Sequence, residues 1–318
     1  MIKVEHIQAS ICGVTGSRID TLVCEYPRVI HAQLLTHRVF SKNSSSTRAI
    51  PLEKAIEQIE QNPVNYVWTL NQSGMQGSLA NAEQASTYEN IFNIAKTFAI
   101  GGARALVREG AHKQNAGRLL EPFQNIKIVL TSTEWENWDW LRDHGDAQGE
   151  IAELARAISN ARKEAEPMVL NPGELHVPFV YRERAENGTL KYGNSLIVMP
   201  GQNRNRLAVI SPEEALLVSM SVCAQTSYRN SDYSLDKAIV MRGRLLDTDH
   251  VHASPSEHQA IGLPYAKVAS DDFLTMLFNL PEGVTHIDRK GNLWSGNFKG
   301  FIQHRQLIKG HDYALRDK

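Results

Sequence analysis

The order of strand-like and helix-like segments restricts the fold of this chain more than any other feature of its sequence. Two strand patterns, IKVEHI and TLVCEY, open the sequence, and helical patterns then follow in runs, with a strand pattern at 126–130. A doubly wound parallel sheet requires regular alternation of strands and helices, which is missing here. The sequence therefore predicts an α+β fold, in which residues 1–318 form one mixed domain of long helices packed on a mainly antiparallel sheet.

Apolar residues at helical spacing predict helices over 29–40, 52–61, 79–109, 134–141, 147–163, 211–228 and 234–246. The long helix at 79–109 is expected to be interrupted at Gly101–Gly102. Its apolar stripe is formed by Ile91, Ile94, Ala95 and Phe98. Ser211, followed by Pro-Glu-Glu, is typical of a helix start. Residues 164–206 combine prolines and glycines with two β-rich runs, and we expect an irregular or β-rich insertion there.

The charge balance limits the classes of partner. The chain has 34 basic and 35 acidic side chains, so we expect no nucleic-acid partner, although a local group of arginines would suffice for a small anion. No run of about 20 apolar residues and no signal-peptide pattern is present, so no membrane partner is expected. Cys12, Cys24 and Cys223 form no CxxC pair, which favours a reduced, cytoplasmic protein.

Residues 36–48, with the sequence THRVFSKNSSSTR, combine basic side chains with a hydroxyl-rich loop. Arg38 and Arg48 could bind a phosphate through paired hydrogen bonds, and hydroxyl and backbone amide groups could complete the site. Serine-rich loops are also common as solvated surface, so that interpretation remains open.

Residues 117–151 place Arg118 and Arg142 on either side of a strand and a tryptophan-rich helix. The tryptophans are Trp135, Trp138 and Trp140, and we expect them to fill a core or a subunit interface. An arginine beside so much apolar surface is costly without a partner, so Arg142 is predicted to bind an anion.

Residues 250–258, HVHASPSEH, contain three histidines and a glutamate that could ligate zinc. Their spacing differs from the helical HExxH pattern, so a polar turn before a strand is favoured and no metal site is predicted. Residues 221–230 indicate only the end of an apolar helix. The sequence contains no GxGxxG, GxxxxGK[ST] or GxSxG motif, which excludes a Rossmann-type or P-loop nucleotide site.

Together these four segments resemble the flavin-dependent (alternative) thymidylate synthases. That family has an arginine signature of the form RHRxxSxNExSxRY. The sequence THRVFSKNSSSTRA matches it at His37, Arg38, Ser41, Asn43, Ser46 and Arg48. The family phrase HxSPFEH is similar to 252–258, its ARVSY phrase to 224–228, and its RxxLP…HAQWEI segment to 118–151.

The chain also departs from the family pattern. The phrases at 224–228 and 252–258 follow the arginine signature instead of preceding it, which a circular permutation explains, as in certain viral members. Thr36, Ser44 and Ala49 replace an arginine, a glutamate and a tyrosine of the signature. Thr133-Glu134-Trp135 stands where the family has an Asn-Ala/Leu-Arg flavin phrase.

The resemblance implies methylation of dUMP to dTMP, with FAD as cofactor, methylenetetrahydrofolate as carbon donor and NADPH as reductant. It also implies a homotetramer whose sites are built from several subunits. The implied catalytic residues are Arg142, which would favour ionisation of the pyrimidine, and Ser46, which would orient the base. The implied substrate-binding residues are Gln33, Ser44, Ser46, Arg48, Arg118 and Arg142. The implied flavin-binding residues are Thr36, His37, Arg38, Asn43, Asn137, Ser227, His252, Ser254 and Glu257.

Two alternatives remain open at this point. Ser44 in place of the family's glutamate is compatible with a related enzyme that methylates or hydroxymethylates another pyrimidine deoxynucleotide, such as dCMP. A protein that kept this fold but lost its flavin site would be a non-catalytic nucleotide-binding protein.

Overall fold

The structure is a computed structural model that describes residues 2–46, 50–73, 77–193, 208–227, 230–265 and 280–312. The strands are β1 Lys3–Cys12, β2 Arg18–Pro27, β3 Ser41–Ser44, β4 Asn125–Ser132, β5 Met168–Leu170, β6 Leu175–His176, β7 Tyr181–Arg184, β8 Leu190–Gly193, β9 Val209–Ile210, β10 Ala260–Gly262, β11 His286–Ile287, β12 Leu293–Ser295, β13 Phe298–Lys299 and β14 Phe301–Gln303. The α-helices are α1 His31–Leu35, α2 Leu52–Gln61, α3 Ala82–Arg108, α4 Lys113–Ala116, α5 Glu136–Arg142, α6 Gly149–Glu164, α7 Pro212–Ala224 and α8 Leu235–Leu245. Short 3₁₀ helices occur at Arg28–Ile30, Gly117–Phe123, Ser254–Glu257 and His304–Leu307.

The largest sheet of the described chain has the strand order β3-β4-β2-β1-β5. The β1–β2, β2–β4 and β3–β4 pairs are antiparallel, and β5 runs parallel to β1. The predicted mixture of helices with a mainly antiparallel sheet is therefore confirmed. The outermost of these strands are short, with four residues in β3 and three in β5.

One face of this sheet packs against α6 and forms the core that supports the candidate site. Leu22 and Leu130 of the sheet and Ile151 of α6 are fully buried in it, and Trp135 and Trp138 belong to the same cluster. Burying each such side chain stabilises the fold by about 1.5–3 kcal/mol. The core therefore fixes α5, which carries Arg142 at its last turn, against the sheet.

Buried polar side chains connect the sheet to the segments that follow it in the sequence. The Thr21 hydroxyl lies 2.9 Å from His176 Nε2 and 2.7 Å from the Thr131 hydroxyl. Thr131 in turn lies 2.8 Å from His258 Nδ1. Buried polar groups are normally paired in this way, so His258 of the HVHASPSEH segment has a structural contact inside the protein.

The described part of 164–206 is rich in β-structure, and its strands are shared among three sheets. β5 pairs with β1, β6 pairs with β10, and β7 and β8 form a hairpin. Residues 194–206 lie outside the described residues.

Helices with local start signals occur where they were predicted. The Ser211 hydroxyl accepts a hydrogen bond from Glu214 N, and the Glu214 side chain accepts one from Ser211 N, which is a capping box at the start of α7. α2 begins directly after Pro51. The helix expected over 29–40 is instead a 3₁₀ turn followed by the five residues of α1.

The prediction of a break at Gly101–Gly102 is wrong, because α3 runs without interruption from Ala82 to Arg108. The predicted apolar stripe of Ile91, Ile94, Ala95 and Phe98 is exposed and does not face the core of this chain. Ile91, Ile94 and Phe98 are 60%, 59% and 77% exposed. The side of α3 that packs on the protein is formed by Phe92, Ala99, Ile100 and Ala103. α3 therefore presents an uncovered apolar face, which we call the α3 face and define by Ile91, Ile94 and Phe98.

Within the described residues, no helix combines the length and the apolar composition that crossing a membrane would require.

Candidate active site

The C-terminal end of α5, α1 and the start of α6 surround a cavity of about 400 Å³. We call it the Arg142 cavity. Its lining residues are Gln33 of α1 and seven residues of the 117–151 segment: Trp140, Leu141, Arg142, His144, Asp146, Ala147 and Gln148. Gln33 and Arg142, both implied to bind substrate, thus lie on one cavity although they are distant in the sequence.

Neutral groups hold the Arg142 guanidinium in place. Its Nε donates a hydrogen bond to His37 Nε2 at 3.0 Å, and Nη2 lies 3.4 Å from Thr36 Oγ1. No carboxylate of a described residue lies within ion-pair distance of Arg142, which is half-buried. Because none of the described residues neutralises its charge, the guanidinium can bind an anion that enters the cavity.

His37 is buried beside this arginine and acts as a hydrogen-bond acceptor. Its ring packs on Phe40 and Trp138, with centroid distances of 5.7 and 4.9 Å. Burial, followed by the charges of Arg142 and Lys42, lowers the pKa of His37 to about 4. The imidazole is therefore neutral near pH 7, and since Nε2 accepts from Arg142, the proton is on Nδ1.

A chain of hydrogen bonds orients Gln33. Its Nε2 donates to Gln148 Oε1 at 2.7 Å, and Gln148 Nε2 donates to the carboxylate of Glu150 at 2.9 Å. Glu150 is buried and also accepts a hydrogen bond from Val67 N at 2.9 Å. The amide of Gln33 is thereby held at the cavity wall in one orientation.

Trp140 differs from the other two tryptophans of its helix. Trp135 and Trp138 are buried, as expected of core residues, whereas Trp140 is 75% exposed and lines the Arg142 cavity. Of the two expected roles, Trp140 does not fill the core of this chain, and a place in a subunit interface stays a prediction. A flat aromatic surface next to a cation can stack on a planar ring. Helical periodicity alone does not distinguish the exposed Trp140 from the buried Trp135 and Trp138.

The hydroxyl-rich loop forms a second group of implied site residues, away from the Arg142 cavity. Ser46 N donates a hydrogen bond to Ser227 Oγ at 2.7 Å, so these two predicted residues are brought together. Ser44 Oγ lies 3.3 Å from His31 Nε2, and Asn43 Nδ2 lies 3.5 Å from the carbonyl oxygen of Cys223. Arg48 lies outside the described residues.

The remaining implied site residues do not line the Arg142 cavity. Arg38, Arg118, Asn137, His252 and Ser254 are exposed. Glu257 is half-buried and pairs with Arg305. Of the arginines Arg38, Arg118 and Arg142, only Arg142 lines this cavity, so a single chain does not gather them there.

The zinc alternative finds no geometric support in the residues that are described. No group of three or more histidine, cysteine, aspartate or glutamate side chains is placed there to hold a metal ion. The buried His258 ring forms a hydrogen bond with the Thr131 hydroxyl, and the Glu257 carboxylate forms an ion pair with Arg305.

Buried histidines predict a loss of stability in mild acid. Burial lowers the pKa of His31, His37 and His304 to about 4 and that of His258 to about 3, and it places that of His176 well below its ordinary value. Between about pH 6.5, the ordinary pKa, and pH 4, the unfolded chain binds protons that the folded chain does not. We therefore expect the free energy of unfolding to be highest above pH 6.5 and to fall as the pH falls towards 4.

Urea unfolding at several pH values between about 7 and 5 measures this effect. His37→Gln, which keeps an acceptor for Arg142, should flatten the pH dependence. The exposed residue His250 provides the control, since His250→Gln should leave the profile unchanged. A urea midpoint that stays constant over this range would contradict the expectation.

No protein-family model matches the sequence, and no curated protein matches it. Among solved structures, the chain is similar to a UMP/dUMP methylase, PolB, from Streptomyces cacaoi bound with 5-Br UMP. The identity is 15% and the TM-score 0.41, over 52% of this chain and 90% of that one. The same methylase bound with 5-Br dUMP matches at 14% identity and a TM-score of 0.40, over 52% of this chain and 91% of that one. A likeness this distant assigns neither a fold nor an activity to the chain.

Proposed function

We propose that this chain is a flavin-dependent thymidylate synthase, which methylates dUMP to dTMP. The observation that carries the proposal is the Arg142 guanidinium in a cavity shared with Gln33. The neutral groups of His37 and Thr36 hold it, and no carboxylate of the described residues pairs with it. The proposal is supported by the four sequence segments that resemble this family, two of which meet where His37 and Thr36 contact Arg142.

In this proposal Arg142 stabilises the negative charge that develops on the pyrimidine ring when the ring carbon is methylated. A fixed cation stabilises a developing negative charge far more strongly in a cavity that partly excludes water than in water itself. Its position also needs no reorganisation during the reaction. Because the His37 pKa is lowered to about 4, the ring next to Arg142 adds no competing positive charge near pH 7. Gln33 binds the nucleotide through its oriented amide, and Ser46 orients the base.

The exposed residues of the implied flavin-binding set fit the binding of FAD. The Arg38 side chain has no ion pair or hydrogen bond with the described residues, so its charge is available to a diphosphate. Asn137 and Ser254 are exposed donors of the same implied set, and Trp140 offers a flat surface for a ring. Bound FAD would supply the hydride, methylenetetrahydrofolate the one-carbon unit and NADPH the reducing electrons.

The cysteines are compatible with a reaction that needs no thiolate nucleophile. Cys12, Cys24 and Cys223 are all buried and free. Burial raises the pKa of Cys24 and Cys223, which disfavours their thiolate forms.

A homotetramer would complete the site. The Arg142 cavity, about 400 Å³, is near the lower end of the range for ligand cavities, about 300–1,000 Å³, which favours one mononucleotide over a nucleotide together with FAD and folate. The loop with Ser46 does not line this cavity, and Arg38 and Arg118 are exposed. Both features are expected if these residues complete the site of a neighbouring subunit.

The test is a spectroscopic assay of the purified protein followed by product analysis. We expect the protein to bind FAD, NADPH to bleach the visible flavin bands in the absence of oxygen, and dUMP with methylenetetrahydrofolate to restore them. Mass analysis should then show dTMP. A protein that remains colourless after incubation with FAD and removal of the free flavin would refute the proposal and favour a non-catalytic nucleotide-binding protein.

The same assay with dCMP tests the second candidate. Ser44 replaces the family's glutamate, so this position carries no carboxylate. Its hydroxyl contacts the neutral ring of His31. Turnover of dCMP without turnover of dUMP would replace the proposed substrate by a cytosine nucleotide, and the product mass would distinguish a methyl from a hydroxymethyl group.

A further inference from the structure

A chain of side chains in hydrogen-bond contact runs from β7 across the main sheet to the residue that follows the Ser254–Glu257 turn. We call it the relay, and its members in order are Arg182, Ser10, His176, Thr21, Thr131 and His258. Each of its five contacts is between 2.7 and 2.9 Å long, and every member except Arg182 is fully buried. The buried members therefore depend on one another for their hydrogen bonds.

Arg182 fixes the direction of the first hydrogen bond. A guanidinium can only donate, so Ser10 Oγ accepts from Nη1 of Arg182 at 2.8 Å. The same guanidinium donates to Leu175 O from Nη1 and to Ala9 O from Nη2, both at 3.1 Å, so three acceptors fix its position. Burial lowers the pKa of Arg182 to about 10, which leaves the side chain charged near pH 7.

The remaining directions follow because each hydroxyl has one hydrogen to donate. Among the described residues, the contact left for the Ser10 hydrogen is His176 Nδ1. His176 then carries its proton on Nε2 and donates to Thr21, whose own hydrogen goes to Thr131. Thr131 donates in turn to His258 Nδ1, so His258 also carries its proton on Nε2. Burial lowers the pKa of His258 to about 3 and that of His176 well below its ordinary value, so both rings are neutral near pH 7.

The opposite direction is disfavoured at Ser10. With every later hydrogen bond reversed, Ser10 would accept from both Arg182 and His176, and its own hydrogen would be buried without an acceptor. An unpaired buried hydroxyl lowers the population of such a state by about tenfold or more. His258 Nε2 has no partner among the described residues and is unpaired in both directions.

We propose that Arg182 is a positioning residue, which acts through the relay to hold His176 and His258 as Nε2–H tautomers. Its charge polarises the relay, because each O–H and N–H bond of the chain points away from the cation. The far end of the relay attaches the 252–258 segment to β4 through Thr131. A change at Arg182 is thereby transmitted to that segment across β1, β2 and β4. The inference does not rest on the proposed function, because these hydrogen positions exist with or without turnover.

NMR of the histidine side-chain nitrogens in the intact protein tests the proposal, since the chemical shifts of Nδ1 and Nε2 distinguish the two neutral tautomers. We expect the Nε2–H tautomer for both His176 and His258 near pH 7. Observation of the Nδ1–H tautomer for either ring in the wild-type protein would overturn the inference.

Arg182→Met should bring both tautomers of His258 into exchange. It releases Leu175 O, which lies beside Ser10 Oγ because both atoms contact Nη1, and the Ser10 hydrogen can then turn to that carbonyl oxygen. Arg182→Lys keeps a donating cation and should preserve the single tautomer. The matched control is Arg184→Met, because Arg184 lies on the same strand but pairs with Glu174 at 2.7 Å and has no hydrogen bond with a member of the relay.

Two results with these variants would reject the role of Arg182. The first is an unchanged His258 tautomer in an Arg182→Met protein whose circular dichroism is that of the wild type. The second is an Arg182→Lys spectrum that matches the Arg182→Met spectrum.

Thr131→Val tests the relay without a change at Arg182, in case Arg182→Met does not fold. It removes the hydroxyl between Thr21 and His258 but nearly preserves the side-chain shape. We expect His258 to lose its single tautomer and His176 to keep the Nε2–H form. An unchanged His258 in this variant would show that the relay does not set its tautomer.

Discussion

Replacing Arg142 by alanine is expected to lower kcat for dTMP formation by about 10²–10³-fold while the protein remains folded and binds FAD. The substitution removes the cation proposed to stabilise the charge that develops on the pyrimidine. Its stability cost should be small, because Arg142 is half-buried and its contacts are to the neutral side chains of His37 and Thr36. The measurements are steady-state kinetics, flavin content and far-UV circular dichroism of the variant.

Arg156→Ala is the matched control for this experiment. Arg156 is a neighbouring arginine on α6, but it pairs with Asp143 at 3.3 Å and does not line the Arg142 cavity. It should keep kcat near the wild-type value. An Arg142→Ala enzyme with normal turnover would remove the proposed role of the guanidinium and with it the mechanism.

Introducing charges on the α3 face is expected to convert the proposed homotetramer into smaller species and to abolish turnover. Ile94 and Phe98 are large apolar side chains that the chain leaves exposed, and contiguous apolar surface of this kind is typical of a protein–protein contact. Ile94→Asp combined with Phe98→Asp would place two carboxylates in such a contact, where their desolvation is costly. Light scattering coupled to gel filtration measures the mass, and the dTMP assay measures the activity.

Ser86→Asp, at an exposed position of the same helix outside the α3 face, adds a comparable charge and should leave both readouts unchanged. If the wild-type protein proved to be a monomer with full turnover, the shared site and the role of the α3 face would both be rejected.

The elements that could be predicted from the sequence are those specified by local signals. The capping box at Ser211 and the proline before α2 define helix starts through hydrogen bonds and backbone angles within a few residues. Gly101–Gly102 misled the prediction, because a glycine costs only about 1 kcal/mol in a helix interior. The packing of Ala99, Ile100 and Ala103 against the neighbouring core outweighs that cost.

Elements whose position depends on the rest of the molecule were predicted less well. Periodicity located the stripe of Ile91, Ile94 and Phe98, but it could not tell whether this chain or another surface covers it. Likewise, the family resemblance implied Gln33 and Arg142 as substrate-binding residues, and only the fold of the sheet with α5 and α6 brings them to one cavity. The relay from Arg182 to His258 has no sequence pattern at all, since it depends on which partners the fold supplies.

The brevity of the outermost strands has a consequence for how copies of this protein can meet. A strand of three or four residues offers few backbone groups for an incoming strand, and Lys42 on β3 adds a charge at that border. Edge-to-edge growth of the main sheet into fibrils is therefore disfavoured along both of its described borders. At high protein concentration, we expect the chains to associate through side chains on helices and to form finite oligomers.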